Sequence, residues 1–257
     1  MKRLFIIAAA LLLAAACSDR TPQERLAAND ARINAIIAQM TLAEVLFGDI
    51  APSGKLPFTF PVKLEDSPAY AMGNFPDPNV GGDLFTLMFR PDVLAMTPEE
   101  RQRFIDSLPK PESHYTEGSL VGYRWFDTKE VKPMYAFGHG LSYVDFGYGA
   151  MSAKAGSKGV KVSFKLKNEG EMPADEVVQL YVRRVDSAVE WPAKELKAFK
   201  RVSLGAGETK TVSLEIKLDD LRYWDVENNC WALEHGKLEL LLGSASDDIR
   251  QTAEVNI

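Results

Sequence analysis

Cysteine and histidine are scarce in this 257-residue chain, which narrows the chemistry that it can perform. The two cysteines, Cys17 and Cys230, lie far apart, so the sequence predicts no disulfide framework. The three histidines, His114, His139 and His235, are equally dispersed and have no cysteine or carboxylate at metal-ligand spacing. We therefore predict neither a metal site nor a bound cofactor.

A block of basic residues is also lacking. The 30 basic and 36 acidic residues give a formal net charge of −6, which argues against nucleic acid as a partner. Residues 48–56 resemble a phosphate-binding loop only superficially, because five residues separate Gly48 from Gly54 and Leu56 replaces the magnesium-binding hydroxyl. No Gly-x-Ser-x-Gly sequence is present for nucleophilic serine chemistry.

The apolar run at the start of the chain is too short to span a bilayer. It extends from Leu4 to Leu13 after a basic Lys2-Arg3 pair, and three alanines then precede Cys17. This order is similar to a bacterial lipoprotein signal over residues 1–17, in which Cys17 becomes the lipidated first residue. The alternative is ordinary cleavage after Ala-x-Ala. Both interpretations predict an exported protein in the periplasm or cell envelope, and the first predicts attachment to the membrane through the lipid on Cys17.

Three capping boxes mark predicted helix starts. The first, at 21–24, predicts an amphipathic helix over residues 22–40, and the third, at 97–100, predicts a short helix that ends near Leu108. The second, at 41–44, is followed too soon by Pro52 and Gly54 for a helix to run far. We interpret this start signal without its helix as the trace of a discontinuity between Glu44 and Val45.

Short strands dominate the second half of the chain. Apolar residues alternate at 160–166 and 178–182, and further short runs follow at 196–204, 212–216, 238–242 and 252–257. Six or seven strands without a helical period predict an antiparallel β-sandwich over residues 148–257. Upstream, 58–60 is predicted as a strand and 66–83 as a loop. Trp191, Trp224 and Trp231 are assigned to packing and strand ends.

Several motifs in this order resemble the family 3 glycoside hydrolases of the β-glucosidase and β-xylosidase type. Residues 31–44 are similar to the opening helix of those enzymes, 45–61 to a segment near their end, and 115–127 with 133–143 to the linker into their last domain. Residues 168–212 then resemble their fibronectin type III-like domain. The resemblance implies an N-terminal helix at 18–44, a remnant of the second α/β domain at 45–114, a linker at 115–147 and the fibronectin type III-like domain at 148–257.

The same resemblance implies glycosidase function without the residues that perform it. The family takes its nucleophile from a catalytic barrel and its acid/base residue from upstream of the 45–61 motif, and neither region has a counterpart here. We therefore assign no catalytic residue. Glu117 is the most tempting substitute, and the simpler interpretation is a pair with Arg124 that fixes the linker. Asp127 is interpreted as a turn or capping residue.

The aromatic residues at 123–148 permit two interpretations. They can serve domain packing, which we favour, or form a platform on which a sugar stacks. In the family this linker runs along the second domain, so the resemblance implies an exposed apolar patch that binds an oligosaccharide or a partner protein. Besides an inactive glycosidase portion, two alternatives remain: a non-catalytic, surface-tethered binding module, or a decayed gene product.

Overall fold

The computed structural model describes residues 42–75, 90–107 and 116–257, which divide between two compact units, 1–50 and 51–257. The predicted leader with Cys17, the predicted helix at 22–40 and His114 lie outside the described residues. Within the described residues, no helix is both long and apolar enough to cross a bilayer.

In the first unit, the described residues form one short helix. Helix α1 spans Leu42–Phe47, and the amide of Asp49 donates to the carbonyl of Glu44 just beyond its end. The start signal at 41–44 is therefore followed by a helix, which runs without a break across Glu44 and Val45. The helix that we expected to be missing after 41–44 is therefore present, so its absence cannot mark a discontinuity between Glu44 and Val45. Six residues form the helix before the turn at Gly48 ends it.

Among the described residues of the second unit, four short α-helices precede the strands. They are α2 (Pro68–Ala71), α3 (Pro91–Leu94), α4 (Pro98–Ser107) and α5 (Tyr123–Thr128). The capping box that predicted α4 forms, since the Thr97 hydroxyl accepts from the amide of Glu100 while the Glu100 carboxylate accepts from the amide of Thr97. The loop predicted at 66–83 is wrong in part, because α2 begins at Pro68.

Ten strands follow. They are β1 (Phe146–Tyr148), β2 (Ser152–Gly156), β3 (Gly159–Asn168), β4 (Ala174–Arg184), β5 (Glu195–Leu204), β6 (Thr209–Lys217), β7 (Tyr223–Asp225), β8 (Cys230–Ala232), β9 (Lys237–Ala245) and β10 (Asp248–Asn256). In one sheet β3 pairs with β1, β2 and β6; in the other the order is β10-β9-β4-β5, and β7 pairs only with β8. All these pairs are antiparallel, which confirms the predicted mainly-β fold with its antiparallel sandwich.

The core lies between the two four-stranded sheets, and the period-two pattern accounts for it. The alternating residues Val160, Val162, Phe164 and Leu166 of β3 are buried, as are Val178, Leu180 and Val182 of β4. Strand β4 also buries Gln179 and Tyr181 on its opposite face, because the linker covers that face. The predicted strand at 58–60 is only a single bridge between Phe60 and Tyr135.

Candidate functional site

The segment that follows Ala51 runs beside the linker through backbone hydrogen bonds. Leu56 donates to the carbonyl of His139 over 2.8 Å and accepts from the amide of Gly138 over 2.8 Å. Farther along, Phe60 donates to Tyr135 over 2.9 Å. These bonds hold two parts of the chain together that lie about eighty residues apart in sequence, and they place Lys55 against the sandwich.

Gly138 and Gly140 stand where no side chain fits. A Cβ on Gly138, whose φ is +80°, would overlap the side-chain amide of Gln179. A Cβ on Gly140 would overlap the carbonyl oxygen of Gly54. Because Gly138 lies so close, the side-chain amide of Gln179 can donate to its carbonyl and to that of Ser244. The side-chain oxygen of Gln179 accepts from the hydroxyl of Tyr181. The glycine turn therefore joins the linker to β4.

A buried ion pair lies next to this turn. Lys55 Nζ is 3.1 Å from Oε1 of Glu176, and the Glu176 side chain is 7% exposed. Burial raises the pKa of Glu176, while the charge and hydrogen bond of Lys55 oppose that rise. The carboxylate also accepts from the amide of Val177 over 3.0 Å. The pair thus ties the 51–62 segment to the beginning of β4.

Glu176 lines a polar cavity of about 210 Å³ that we take as the candidate site. Asp248 also lines this cavity, and its pKa is lowered mainly by its hydrogen bond with Arg250, 2.5 Å from Arg250 Nε to Oδ1. Ser244 also donates to Asp248 over 2.6 Å. The cavity therefore contains one carboxyl group with a raised pKa and one with a lowered pKa, which is the pattern that acid/base chemistry uses.

The partners of these carboxyl groups weigh against catalysis. A retaining glycosidase needs one carboxylate free to attack and one free to donate a proton, about 5–5.5 Å apart. Here Glu176 is held by Lys55 and Asp248 by Arg250 and Ser244. Each carboxylate is therefore already paired with a cation of the protein. We interpret the cavity as a junction between the linker, the 51–62 segment and the sandwich.

The structure corrects the interpretation of Glu117 and Asp127. Arg124 pairs with Glu195 at 3.1 Å instead of Glu117, and Oε2 of Glu117 is buried without a hydrogen bond. Asp127 lies inside α5 and pairs with Lys194 at 3.0 Å, with its pKa raised chiefly by burial. Pairing by proximity in sequence was wrong, because α5 turns Arg124 and Asp127 toward the strand that begins at Glu195.

The aromatic linker divides into a packed part and an exposed part. Tyr123 stacks on Phe137 with ring centroids 4.7 Å apart and accepts from the amide of Leu196, while Trp125 and Phe126 are buried. This confirms the favoured packing interpretation for the first part. In the second part, a cluster that we call the linker face stays exposed: Phe58, Phe60, Val62, Met134, Tyr135 and Leu141.

The linker face is continuous at its centre. The ring centroids of Phe58 and Phe60 are 4.6 Å apart, those of Phe60 and Tyr135 are 6.1 Å apart, and those of Tyr135 and His139 are 5.2 Å apart. Tyr135 remains 46% exposed and Leu141 74% exposed. The predicted exposed apolar patch is therefore present. Within the described ranges, no cluster of histidine, cysteine and carboxylate side chains has the arrangement of a metal site.

One signal for the buried pair was visible in the sequence. Glu176 precedes Val178, Leu180 and Val182 in the same period-two series, so it occupies a buried phase of its strand. A carboxylate at such a position needs a buried partner. The sequence does not say that the partner is Lys55, because the two residues are brought together only by the fold.

Comparison with known proteins identifies two regions. Residues 28–143 match the glycosyl hydrolase family 3 C-terminal domain, and residues 176–246 match the fibronectin type III-like domain. The first match includes Glu44 and Val45 within one continuous region.

Relatives match most of this chain, but only part of their own length is covered. A β-glucosidase of Bacteroides ovatus is 37% identical over 215 residues, which are 82% of this chain and 25% of that protein. The thermostable β-glucosidase B of Acetivibrio thermocellus is 38% identical over 84% of this chain and 25% of its own length. The crystal structure of a Bifidobacterium adolescentis β-glucosidase aligns with a TM-score of 0.68 and 32% identity, over 84% of this chain and 27% of that one. The chain thus spans about a quarter of the length of these relatives.

Proposed function

This chain corresponds to the C-terminal portion of the family 3 glycoside hydrolases and belongs to that family, and from that premise we propose that it takes part in β-glucoside hydrolysis without catalysing the reaction alone. In this proposal the chain supplies the fibronectin type III-like sandwich and the linker, and a separate polypeptide supplies the nucleophile and the acid/base residue. The relatives are β-glucosidases of which this chain matches about a quarter, which supports both the reaction class and a dependence on residues outside that quarter.

One observation carries the proposal. The polar cavity holds two carboxyl groups with opposite pKa shifts, and each is bound to a cation of the protein itself. Such groups support a junction, whereas a glycosidase needs carboxyl groups that face the substrate. Glu117, the remaining candidate of the sequence, lies in a turn, and its buried Oε2 has no hydrogen-bond partner among the described residues that could prepare it for acid/base work.

The purified chain is expected to show no turnover of nitrophenyl β-glucoside or nitrophenyl β-xyloside above the rate of the buffer. Glu117→Gln and Asp248→Asn should behave like the unmodified chain in this assay. Release of nitrophenol at neutral pH is the measurement. Turnover by the purified chain that one of these substitutions abolishes would overturn the proposal that catalysis needs a second polypeptide.

The linker face is the surface proposed to bind that second polypeptide. It combines three aromatic rings with Val62, Met134 and Leu141, and an exposed apolar area of this kind marks a protein interface more often than a sugar site. Tyr135 and Phe60 lie at its centre, where truncation costs most in protein interfaces.

Complementation in trans tests this surface. A Bacteroides ovatus β-glucosidase fragment that lacks the quarter matched here is mixed with the purified chain, and nitrophenyl β-glucoside turnover is measured against chain concentration. We expect turnover to rise, and Phe60→Ser with Tyr135→Ser to raise the half-maximal concentration about tenfold or more. Phe199→Ser is the matched control, because Phe199 is an exposed aromatic residue on β5. Equal stimulation by all variants would contradict the assignment of the linker face.

A further inference from the structure

The hairpin of β7 and β8 carries two tryptophans on its outer face. The register places Trp224 directly opposite Trp231, with ring centroids 5.6 Å apart and an interplanar angle of 78°. Trp224 is 46% exposed and Trp231 is 63% exposed. The assignment of these tryptophans to packing and strand ends holds only in part, because the two rings contact each other but leave much of their surface in solvent. We call this pair the tryptophan corner.

The hairpin beneath the corner is firmly held. On its inner face Tyr223 meets Trp191 edge-on at 6.0 Å, and the Arg184 guanidinium lies 4.3 Å from the centre of the Trp191 ring. Arg184 also donates to the carbonyls of Glu234 and Leu221, which lie on either side of the hairpin. The two exposed rings are therefore presented on a fixed support, so a ligand meets a site that needs little ordering.

The turn that joins β7 to β8 is held by hydrogen bonds to Asp225. Oδ1 of Asp225 accepts from the amides of Glu227 and Asn228, and Oδ2 accepts from the side-chain amide of Asn228 over 2.8 Å. The hydrogen bond from Asn228 is the main cause that lowers the pKa of Asp225, so this carboxylate is charged at neutral pH.

Charge limits what can bind there. Asp225 and the exposed Glu227 lie within the hairpin, and within the described hairpin no basic residue accompanies them. A negative local field repels nucleic acid, anionic lipid headgroups and acidic saccharides. It leaves uncharged ligands that offer an apolar surface to the two rings.

We propose that the tryptophan corner is a binding site for a neutral glycan. The C–H groups on one face of a pyranose ring carry partial positive charge and fit the negative face of an indole ring, while its hydroxyl groups lie at the rim and stay in solvent. Because the rings of Trp224 and Trp231 are nearly perpendicular, a sugar can stack on the face of one ring and contact the other ring at its side. The site lies apart from the polar cavity and from the linker face, and the inference does not rest on the proposed function.

Affinity electrophoresis of the purified chain in gels that contain hydroxyethyl cellulose or neutral xylan tests this site. We expect retardation that increases with polymer concentration, and a loss of about tenfold in affinity for Trp231→Ala and for Trp224→Ala. Phe199→Ala is the matched control, since it removes an equally exposed ring from β5 and should retain full retardation. Both tryptophans are exposed, so the variants should keep the unfolding midpoint of the parent, as urea titration will show.

Three results would overturn the inference. One is the absence of retardation by both polymers; another is equal retardation of the parent and both tryptophan variants. The third is a tryptophan-dependent interaction with something else, either sedimentation with phosphatidylcholine vesicles or self-association in sedimentation velocity, without any retardation by glycan. Retardation by both neutral polymers, lost with either tryptophan and kept by Phe199→Ala, supports it.

Discussion

Asn168→Ala is expected to lower the free energy of unfolding of the sandwich by about 3 kcal/mol. Asn168 is fully buried at the end of β3, and its side-chain nitrogen donates to the carbonyls of Met172 over 2.8 Å and Gly205 over 3.1 Å. Its oxygen accepts from the amide of Gly170 over 2.9 Å. Alanine leaves these backbone groups unpaired in a site that water reaches poorly, and each such group costs about 1–3 kcal/mol.

Urea unfolding at neutral pH measures this loss. The control is Asn228→Ala, because Asn228 makes its hydrogen bonds in an exposed turn and should cost less than about 1 kcal/mol. Asn168→Asp sharpens the test, since it keeps the acceptor for Gly170 but turns a carboxylate oxygen toward the carbonyls of Met172 and Gly205. This variant should be at least as unstable as Asn168→Ala at neutral pH. A loss below about 1 kcal/mol for Asn168→Ala would show that the backbone rearranges around the site.

The sandwich was predictable because each strand is specified by the alternation of apolar and polar residues within its own short segment. A period-two series such as 160–166 specifies both the strand and its buried face, and the structure confirms this for β3. The same series does not predict the hydrogen bonds of Asn168, the side chain at the end of β3. Those bonds depend on Met172 and Gly205, which approach Asn168 only when the turns on either side have folded.

The candidate site was less predictable because its residues come from distant parts of the chain. Lys55 and Glu176 belong to different motifs, and the fold brings them within 3.1 Å. Local reasoning instead paired Glu117 with Arg124, whose true partner is Glu195. The capping box at Thr97 succeeded because its two partners are three residues apart. Sequence patterns therefore predicted contacts within an element and missed ion pairs between elements.

Lys55→Met is expected to lower the free energy of unfolding by about 3 kcal/mol at neutral pH. The Lys55 side chain is 15% exposed and that of Glu176 is 7% exposed, so the substitution leaves a carboxylate in a poorly solvated place without its counterion. The value is at the low end for a broken buried pair, because the polar cavity still admits some solvent to Glu176. Urea unfolding measures the loss, and Lys158→Met, which lies in an exposed turn, is the control.

The pH dependence distinguishes an electrostatic cause from lost packing. The pKa of Glu176 is raised in the folded protein, so protonation favours the folded state and stability falls as pH rises from the unfolded pKa through the folded pKa. Without Lys55 that pKa should rise further, so Lys55→Met should lose most stability at neutral pH and recover toward the parent under acid conditions. Lys55→Met with Glu176→Gln should be more stable than Lys55→Met alone, because the uncompensated charge is gone. A loss that is the same at every pH, and unchanged by Glu176→Gln, would mean that the stem of Lys55 stabilises the junction by packing rather than by charge.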